Sequence, residues 1–191
     1  MEIKSNGSYL PRRRFFGAAG KLGLSAAALT LLVGPKSLGG VAEAASPDDL
    51  GVLNTALGLE YQGIAAYQIG AESGLLKKPT LKVATQFQSD HKKHAEALAE
   101  AITKLGGTPV VARKPADYGF PVQKLKSEAD VLRFAASLEH GAVSAYLGAV
   151  SAFGDRELAK VAASILGNEA QHWSLLLNAL GENPAPTAFV S

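Results

Sequence analysis

Residues 158–181 read LAKVAASILGNEAQHWSLLLNALG, and this stretch decides the fold. Its apolar residues recur at alternating spacings of three and four, which is typical of a helix that turns one face into a bundle. The apolar members of that face are Leu158, Ala162, Ile165, Leu176 and Ala179. The two remaining members, Glu169 and His172, are polar and lie at its centre. Because they are three residues apart, both side chains lie on one helix face and can bind one ion.

Three further segments repeat this pattern. Helices are predicted from Ser46-Pro47-Asp48-Asp49 to about Gly74, from near Pro79 to Gly106-Gly107, from Ser127-Glu128-Ala129-Asp130 to Phe153, and from Gly154-Asp155 to Gly181. The inner faces of the first three are polar only at Glu60, at His91 and His94, and at Glu139. In antiparallel helices of similar length, these positions all fall near mid-height.

The links between these helices differ in length. The first and last links are short, so the sequence predicts two antiparallel hairpins. The middle link, from Gly107 to Lys126, contains three prolines and is long enough to cross the whole bundle. We therefore predict an all-α four-helix bundle over residues 46–181, two antiparallel hairpins joined by a long crossover, which is ferritin-like connectivity. Residues 182–191 are expected to form a loose tail.

The two hairpins also resemble each other in sequence. Leu59-Glu60 with Tyr67 matches Leu138-Glu139 with Tyr146 at an offset of 79, and His94 matches His172 at an offset of 78. The repeat predicts an approximate two-fold axis through the bundle, with the duplicated residues facing one another across it.

Six polar residues are predicted to share the middle of this bundle: Glu60, His91, His94, Glu139, Glu169 and His172. Unpaired buried carboxylates cost several kcal/mol, and no lysine or arginine lies on any inner face to pair with them. Two metal ions, iron or manganese, would compensate these charges. Tyr67 and Tyr146 are expected in the core near the site, whereas His140 is expected outside the ligand set.

Two segments resemble a known family. They are Leu53-Asn54-x-Ala56-Leu57-x-Leu59-Glu60-Tyr61, and residues 87–110, which end in Leu-Gly-Gly-Thr-Pro-Val. Both are similar to the ferritin-like domain shared with desiccation-related proteins, over about residues 47–181. That family has Glu-x-x-His on the second helix, whereas this chain has His91-x-x-His94. A bridging carboxylate is therefore missing, or Asp90 replaces it, and the helix 1–2 half of the site is expected to bind its ion more weakly than the other half.

Residues 1–45 are predicted to be a signal peptide of the twin-arginine type. Arg12-Arg13 precede Phe15-Phe16, an apolar stretch runs from residue 17 to 33, and Ala42-x-Ala44 suits signal peptidase. A membrane anchor is the less favoured alternative, because the stretch is short and contains Lys21. We expect the twin-arginine translocase to export the protein, which would then be periplasmic or secreted.

Composition excludes several functions. The chain has no cysteine, which rules out disulfides, thiolate metal sites and a cysteine nucleophile. The basic excess lies within residues 1–44, so the remainder is mildly acidic and nucleic acid is not an expected partner.

The favoured hypothesis is oxidation of Fe(II) or decomposition of peroxide, with O₂ or H₂O₂ as co-reactant. The alternative is a non-enzymatic metal-binding or stress-protective bundle with a degenerate site. The sequence leaves open iron or manganese, one ion or two, and self-association.

Overall fold

The computed structural model describes residues 47–190. It contains four long helices: α1 (Pro47–Glu72), α2 (Lys78–Lys104), α3 (Glu128–Ala152) and α4 (Arg156–Ala179). No strand occurs among the described residues. The predicted all-α four-helix fold is therefore confirmed, and the predicted helix ends are correct to within two residues.

Side chains and glycines mark the helix ends. Ser127 accepts a hydrogen bond from the backbone N–H of Asp130 at the start of α3, as its sequence position predicts. Asp155 accepts from the N–H groups of Glu157 and Leu158 at the start of α4. Gly106 and Gly181, which follow α2 and α4, have φ of 77° and 75°, a conformation that favours glycine and stops each helix.

Two contacts establish the direction of each helix. Asp49, at the start of α1, accepts a hydrogen bond from Gly154 N–H between α3 and α4. Glu128, at the start of α3, accepts from Thr80 at the start of α2. The helices that begin at one end of the bundle are therefore α1 and α4, and those that begin at the other end are α2 and α3.

The crossover from α2 to α3 must then run the length of the bundle. Near its beginning, Val110 N–H donates to Asn54 on α1. It continues through two short 3₁₀ turns, Pro115–Tyr118 and Val122–Lys124. Near its end, the Phe120 ring packs against Phe134 on α3, 5.4 Å between centroids. This is the predicted ferritin-like connectivity.

Apolar clusters lie on both sides of a central polar layer. One contains Leu53, Leu57, Leu98, Ile102, Tyr146 and Ile165. The other contains Tyr67, Phe87, Leu132 and Leu176. The layer between them is buried, and burial makes its charges interact more strongly than they would in water. Ala179, predicted on the inner face of α4, is exposed because it occupies the last turn of that helix.

The ends of the chain are described only in part. The predicted signal segment, including Arg12, Arg13 and Ala44, lies outside the described residues. Residues 182–190 are exposed and contain no helix. Across residues 47–190, no helix is both long enough and apolar enough to cross a membrane.

Candidate metal centre

All six predicted ligand residues meet in the central polar layer. Glu169 is fully buried, and Glu60, His91, Glu139 and His172 are each at most 3% exposed. His94 is half-buried, with 13% of its side chain exposed. The alternating spacing brings each of them inward, so the structure assembles the whole predicted set in one place.

The six residues form two overlapping groups of four. One group is Glu60, His91, His94 and Glu169; the other is His91, Glu139, Glu169 and His172. Within each group, the ligand atoms lie within 4.8 Å of one another. His91 and Glu169 belong to both groups, so each group draws on both hairpins. Each group contains two carboxylates and two imidazoles. The expectation that the helix 1–2 half binds its ion more weakly stays a prediction.

The His91 ring lies between carboxylates on opposite sides. Its Nδ1 is 2.8 Å from Glu60 Oε2 and 3.7 Å from Glu169 Oε1, whereas its Nε2 is 3.3 Å from Glu139 Oε1. The other two rings line the ends of the layer. His94 Nδ1 is 2.9 Å from Glu169 Oε1 but out of line for a hydrogen bond, and His172 Nδ1 is 3.4 Å from Glu169 Oε2.

Two tyrosines support the carboxylates from the opposite hairpin. The Tyr67 hydroxyl donates to Glu139, and the Tyr146 hydroxyl donates to Glu60. Seven residues advance a helix by about 10.5 Å, so neither tyrosine can reach the glutamate of its own helix. The antiparallel packing of α1 against α3 brings each one beside the other helix's glutamate. The exchanged pairs are what the predicted two-fold symmetry requires.

Several polar atoms in this layer are buried without a hydrogen-bond partner. Within the described residues they are Nδ1 of His94, Oε2 of Glu139, both carboxylate oxygens of Glu169 and both ring nitrogens of His172. Buried polar atoms are rarely left in this state, and each costs roughly 1–3 kcal/mol. Oxygen and imidazole nitrogen are the donors that first-row transition ions bind. The residues present therefore fit a pair of such ions.

Charge in the layer shifts its ionisation equilibria. Burial alone would raise the pKa of Glu60, but the hydrogen bond to His91 and the nearby His94 ring, 3.5 Å away, outweigh it and hold the pKa at about 2. Burial would lower the pKa of His94, but Glu169 and Glu60 raise it to about 9. The same balance, with Glu139 and Glu169, raises the pKa of His172 to about 9. Without metal, the imidazolium rings therefore neutralise the carboxylates.

Asp90 does not occupy the missing carboxylate's place. It lies outside both groups, where it accepts hydrogen bonds from Gln86 and Lys93. Its Oδ2 is 3.6 Å from His172 Nε2, the nitrogen that faces away from the other ligands. A carboxylate at the outer nitrogen of a metal-binding histidine fixes the ring's orientation and raises its basicity. Asp90 is thus placed to orient His172 rather than to bridge two ions.

His140 remains outside the site, as predicted. It is exposed and stacks on Trp173 with 4.5 Å between ring centroids. It provides a natural control residue for the buried histidines.

A glycine that sequence reasoning missed lies against the site. A Cβ atom at Gly63 would be 3.0 Å from Cε1, 3.1 Å from Nδ1 and 3.2 Å from Nε2 of His91. Gly63 also borders a cleft of about 160 Å³ between α1 and α3 that reaches His91 and Glu139. The spacing pattern ranks residues by hydrophobicity, so it has no signal for a position where the absence of a side chain matters.

The sequence matches the family described as "Ferritin-like domain" over residues 48–182. That match covers most of the chain, and the protein belongs to the ferritin-like domain family. A search of the curated proteins found no match.

Solved structures share the fold. A conserved hypothetical protein from Mycobacterium tuberculosis is 23% identical, with a TM-score of 0.64 over 74% of this chain and 96% of that one. A dodecameric thioferritin, the bacterioferritin-related protein of Bacteroides fragilis, is 20% identical, with a TM-score of 0.60 over 82% and 94%. A ferritin-like, diiron-carboxylate protein from Bacillus anthracis str. Ames is 24% identical, with a TM-score of 0.56 over 71% and 99%.

Proposed function

We propose that this protein binds two iron or manganese ions in the layer of Glu60, His91, His94, Glu139, Glu169 and His172, and that it oxidises Fe(II) or decomposes hydrogen peroxide there. The observation that carries the proposal is the set of buried oxygens and nitrogens that face one another without hydrogen-bond partners. The diiron-carboxylate description of the Bacillus anthracis structure adds support from the same fold.

The protein's residues have separate tasks in this proposal. Glu169 and His91, which belong to both ligand groups, would hold the two ions relative to each other. Glu60 with His94, and Glu139 with His172, complete the two ends. Two adjacent ions would share the two electrons exchanged with O₂ or H₂O₂.

The surroundings of the site restrict what can react. Apolar clusters above and below exclude bulk water, and the cleft beside Gly63, at about 160 Å³, is smaller than the pockets that bind large organic ligands. The Tyr67 and Tyr146 hydroxyls can supply a proton next to Glu139 and Glu60, respectively. Small inorganic molecules, O₂ and H₂O₂ among them, are the substrates that fit.

Anaerobic titration of metal-free protein with Fe(II) tests the proposal. We expect two ions to bind per chain. The loaded protein should then consume O₂ or H₂O₂ faster than the same concentration of Fe(II) does in buffer without protein. Glu169→Gln should weaken binding by roughly a thousandfold, because one charge at about 4 Å is worth about 4 kcal/mol at an effective dielectric constant of about 20. Glu96→Gln, on the exposed face of α2, is the matched control and should bind as the unmodified protein does. Failure to bind any ion would refute the proposal.

A second candidate function is metal binding or stress protection without catalysis. The observation that favours it is His91, which stands where the resembled family has a carboxylate and which lies 2.8 Å from Glu60 and 3.3 Å from Glu139. Two bound ions that consume neither O₂ nor H₂O₂ would support this candidate. The resemblance to desiccation-related proteins is consistent with this second candidate, and it stays a prediction.

We further propose export by the twin-arginine translocase, which would place the site outside the cytoplasm. The support is the Arg12-Arg13 pair, the weakly apolar stretch after it and Ala42-x-Ala44. Replacing Arg12 and Arg13 together by lysine should leave uncleaved precursor in the cytoplasmic fraction. The matched control is Lys4→Arg, upstream of the pair. Unchanged export of the double variant would contradict the proposed route.

A further inference from the structure

We infer that His91 bridges the two metal ions, with one ion on each of its ring nitrogens, in the place of a bridging carboxylate. The inference rests on the proposed function, since it concerns how the same site divides its ligands. Three observations carry it: the internal repeat, the directions of the two nitrogens, and the packing that holds the ring.

The internal repeat pairs His91 with Glu169. They are 78 residues apart, the same offset as His94 and His172. They are also the two residues that belong to both ligand groups. The position related by symmetry to Glu169 is therefore also one that both ligand groups use, and in this chain it is occupied by the imidazole of His91.

The two ring nitrogens of His91 face different groups. Nδ1 lies beside Glu60, at 2.8 Å, and Nε2 lies beside Glu139, at 3.3 Å. Glu60 belongs only to the first group and Glu139 only to the second. One imidazole can thus offer a lone pair to each group, as the two ions displace the two N–H protons of its imidazolium form and these protons pass to solvent.

The ring is also held in that orientation. Gly63 lies against the face of the ring, where an added Cβ would be only 3.0 Å from Cε1. On other sides it meets the Tyr67, His172 and His94 rings, with centroids at 5.3, 5.6 and 6.1 Å. A ring packed in this way is not free to turn its two nitrogens away from the two groups.

A bridging imidazole changes the properties of the pair. The two nitrogens lie on different corners of a rigid ring, so the ions are held farther apart than the about 3.5–4 Å of ordinary two-metal sites. The ring also couples the two ions electronically through its π system. An imidazole suits copper, zinc and iron better than manganese, which prefers oxygen.

Titration of metal-free protein with Cu(II), followed by electron paramagnetic resonance, tests the bridge. Copper favours imidazole and has one unpaired electron per ion. We expect the first equivalent to give a full signal and the second to remove most of the integrated intensity, because the bridged spins couple. In His91→Gln, which cannot offer two ring nitrogens, we expect either a single bound ion or two ions with full intensity. His140→Gln is the matched control and should behave as the unmodified protein does.

The outcomes separate the bridge from the proposed function. Two bound ions with full signal intensity in the unmodified protein would overturn the bridge while leaving the two-ion site intact. The bridge would equally be overturned if His91→Gln kept a silent pair, because Glu169 or hydroxide would then be the coupling group. If His91→Gln does not fold, His91→Asn replaces it in the same comparison, because asparagine likewise cannot offer two ring nitrogens. Absence of any bound copper or iron would overturn both proposals.

Discussion

Residue 63 is a glycine in the middle of α1, and the space it leaves is occupied by the His91 ring. In most helix interiors, alanine in place of glycine stabilises by about 1 kcal/mol. At Gly63 the added methyl group would instead press on the ring from 3.0 Å, so the ring must give by a few tenths of an ångström. The neighbouring Gly141, across the cleft on α3, has nothing within 4 Å of the same added atom.

We therefore predict opposite effects of two matched substitutions. Gly63→Ala should be less stable than Gly141→Ala by about 1–3 kcal/mol in urea unfolding of the metal-free protein, because overpacking outweighs helix propensity at one site only. Gly63→Ala should also bind Zn(II) more weakly, since the ring no longer holds its position. Equal stability and equal affinity of the two variants would show that Gly63 does not position His91.

The two tyrosine hydroxyls should matter equally, since the repeat makes their environments alike. Tyr67→Phe removes a donor to Glu139, and Tyr146→Phe removes a donor to Glu60. A hydrogen bond to a charged group contributes about 1.5–3 kcal/mol, so each variant should lose about that much in free energy of unfolding without metal. Tyr118→Phe in the crossover is the control. A large loss in one variant and none in the other would contradict the symmetry.

At the scale of the helix, caps and links could be predicted because they depend on neighbouring residues in the chain. Ser127 caps α3, as its position before Glu128 and Asp130 predicts. The role of Asp49 could not be predicted, since sequence placed it only as an acid near the start of α1. It is 1% exposed and accepts from Gly154, which lies 105 residues away.

The cap of α4 gives a prediction at this scale. Asp155 accepts hydrogen bonds from two backbone N–H groups, of Glu157 and Leu158, that the helix itself cannot satisfy. Asp155→Ala should cost about 1 kcal/mol in unfolding free energy, measured by urea denaturation. Ser164→Ala, on the exposed face of the same helix, should change stability by less. An Asp155→Ala variant as stable as the unmodified protein would show that water replaces the cap.

At the scale of the whole molecule, the spacing pattern predicted which residues meet, but not how those residues are divided between the two ligand groups. Alternating spacing gives the depth and the inward face of each position, and that was enough to gather Glu60, Glu139 and Glu169. The spacing does not show how one hairpin is rotated relative to the other. The sharing of His91 and Glu169 and the exchange of the tyrosines between hairpins depend on that rotation. Asp90 is a second example of what spacing cannot predict. It lies four residues from His94 in sequence, yet it is outside both ligand groups.

The site links the stability of the whole bundle to pH. In metal-free protein the pKa values of His94 and His172 are raised to about 9 from 6.5, because Glu139, Glu169 and Glu60 stabilise the imidazolium forms. Their contribution is complete below about pH 6.5 and is lost as the pH rises towards 9. The pKa of Glu60 is lowered to about 2 from 4.5, so its contribution is complete above pH 4.5 and is lost as the pH falls towards 2.

Metal-free protein should therefore be most stable between about pH 4.5 and 6.5, and weaker by a few kcal/mol at pH 9. Bound metal should reverse the alkaline limb, since ions compete with protons for the same imidazoles and bind more tightly as pH rises. Urea unfolding at pH 3, 5.5 and 8.5, with chelator or with Zn(II), measures both limbs. His140→Ala should leave both profiles unchanged, because its exposed ring takes no part in the layer. If the metal-free protein instead becomes more stable from pH 5.5 to 8.5, His94 and His172 are neutral in the folded protein. The carboxylates of the layer would then not be balanced by imidazolium rings when metal is removed.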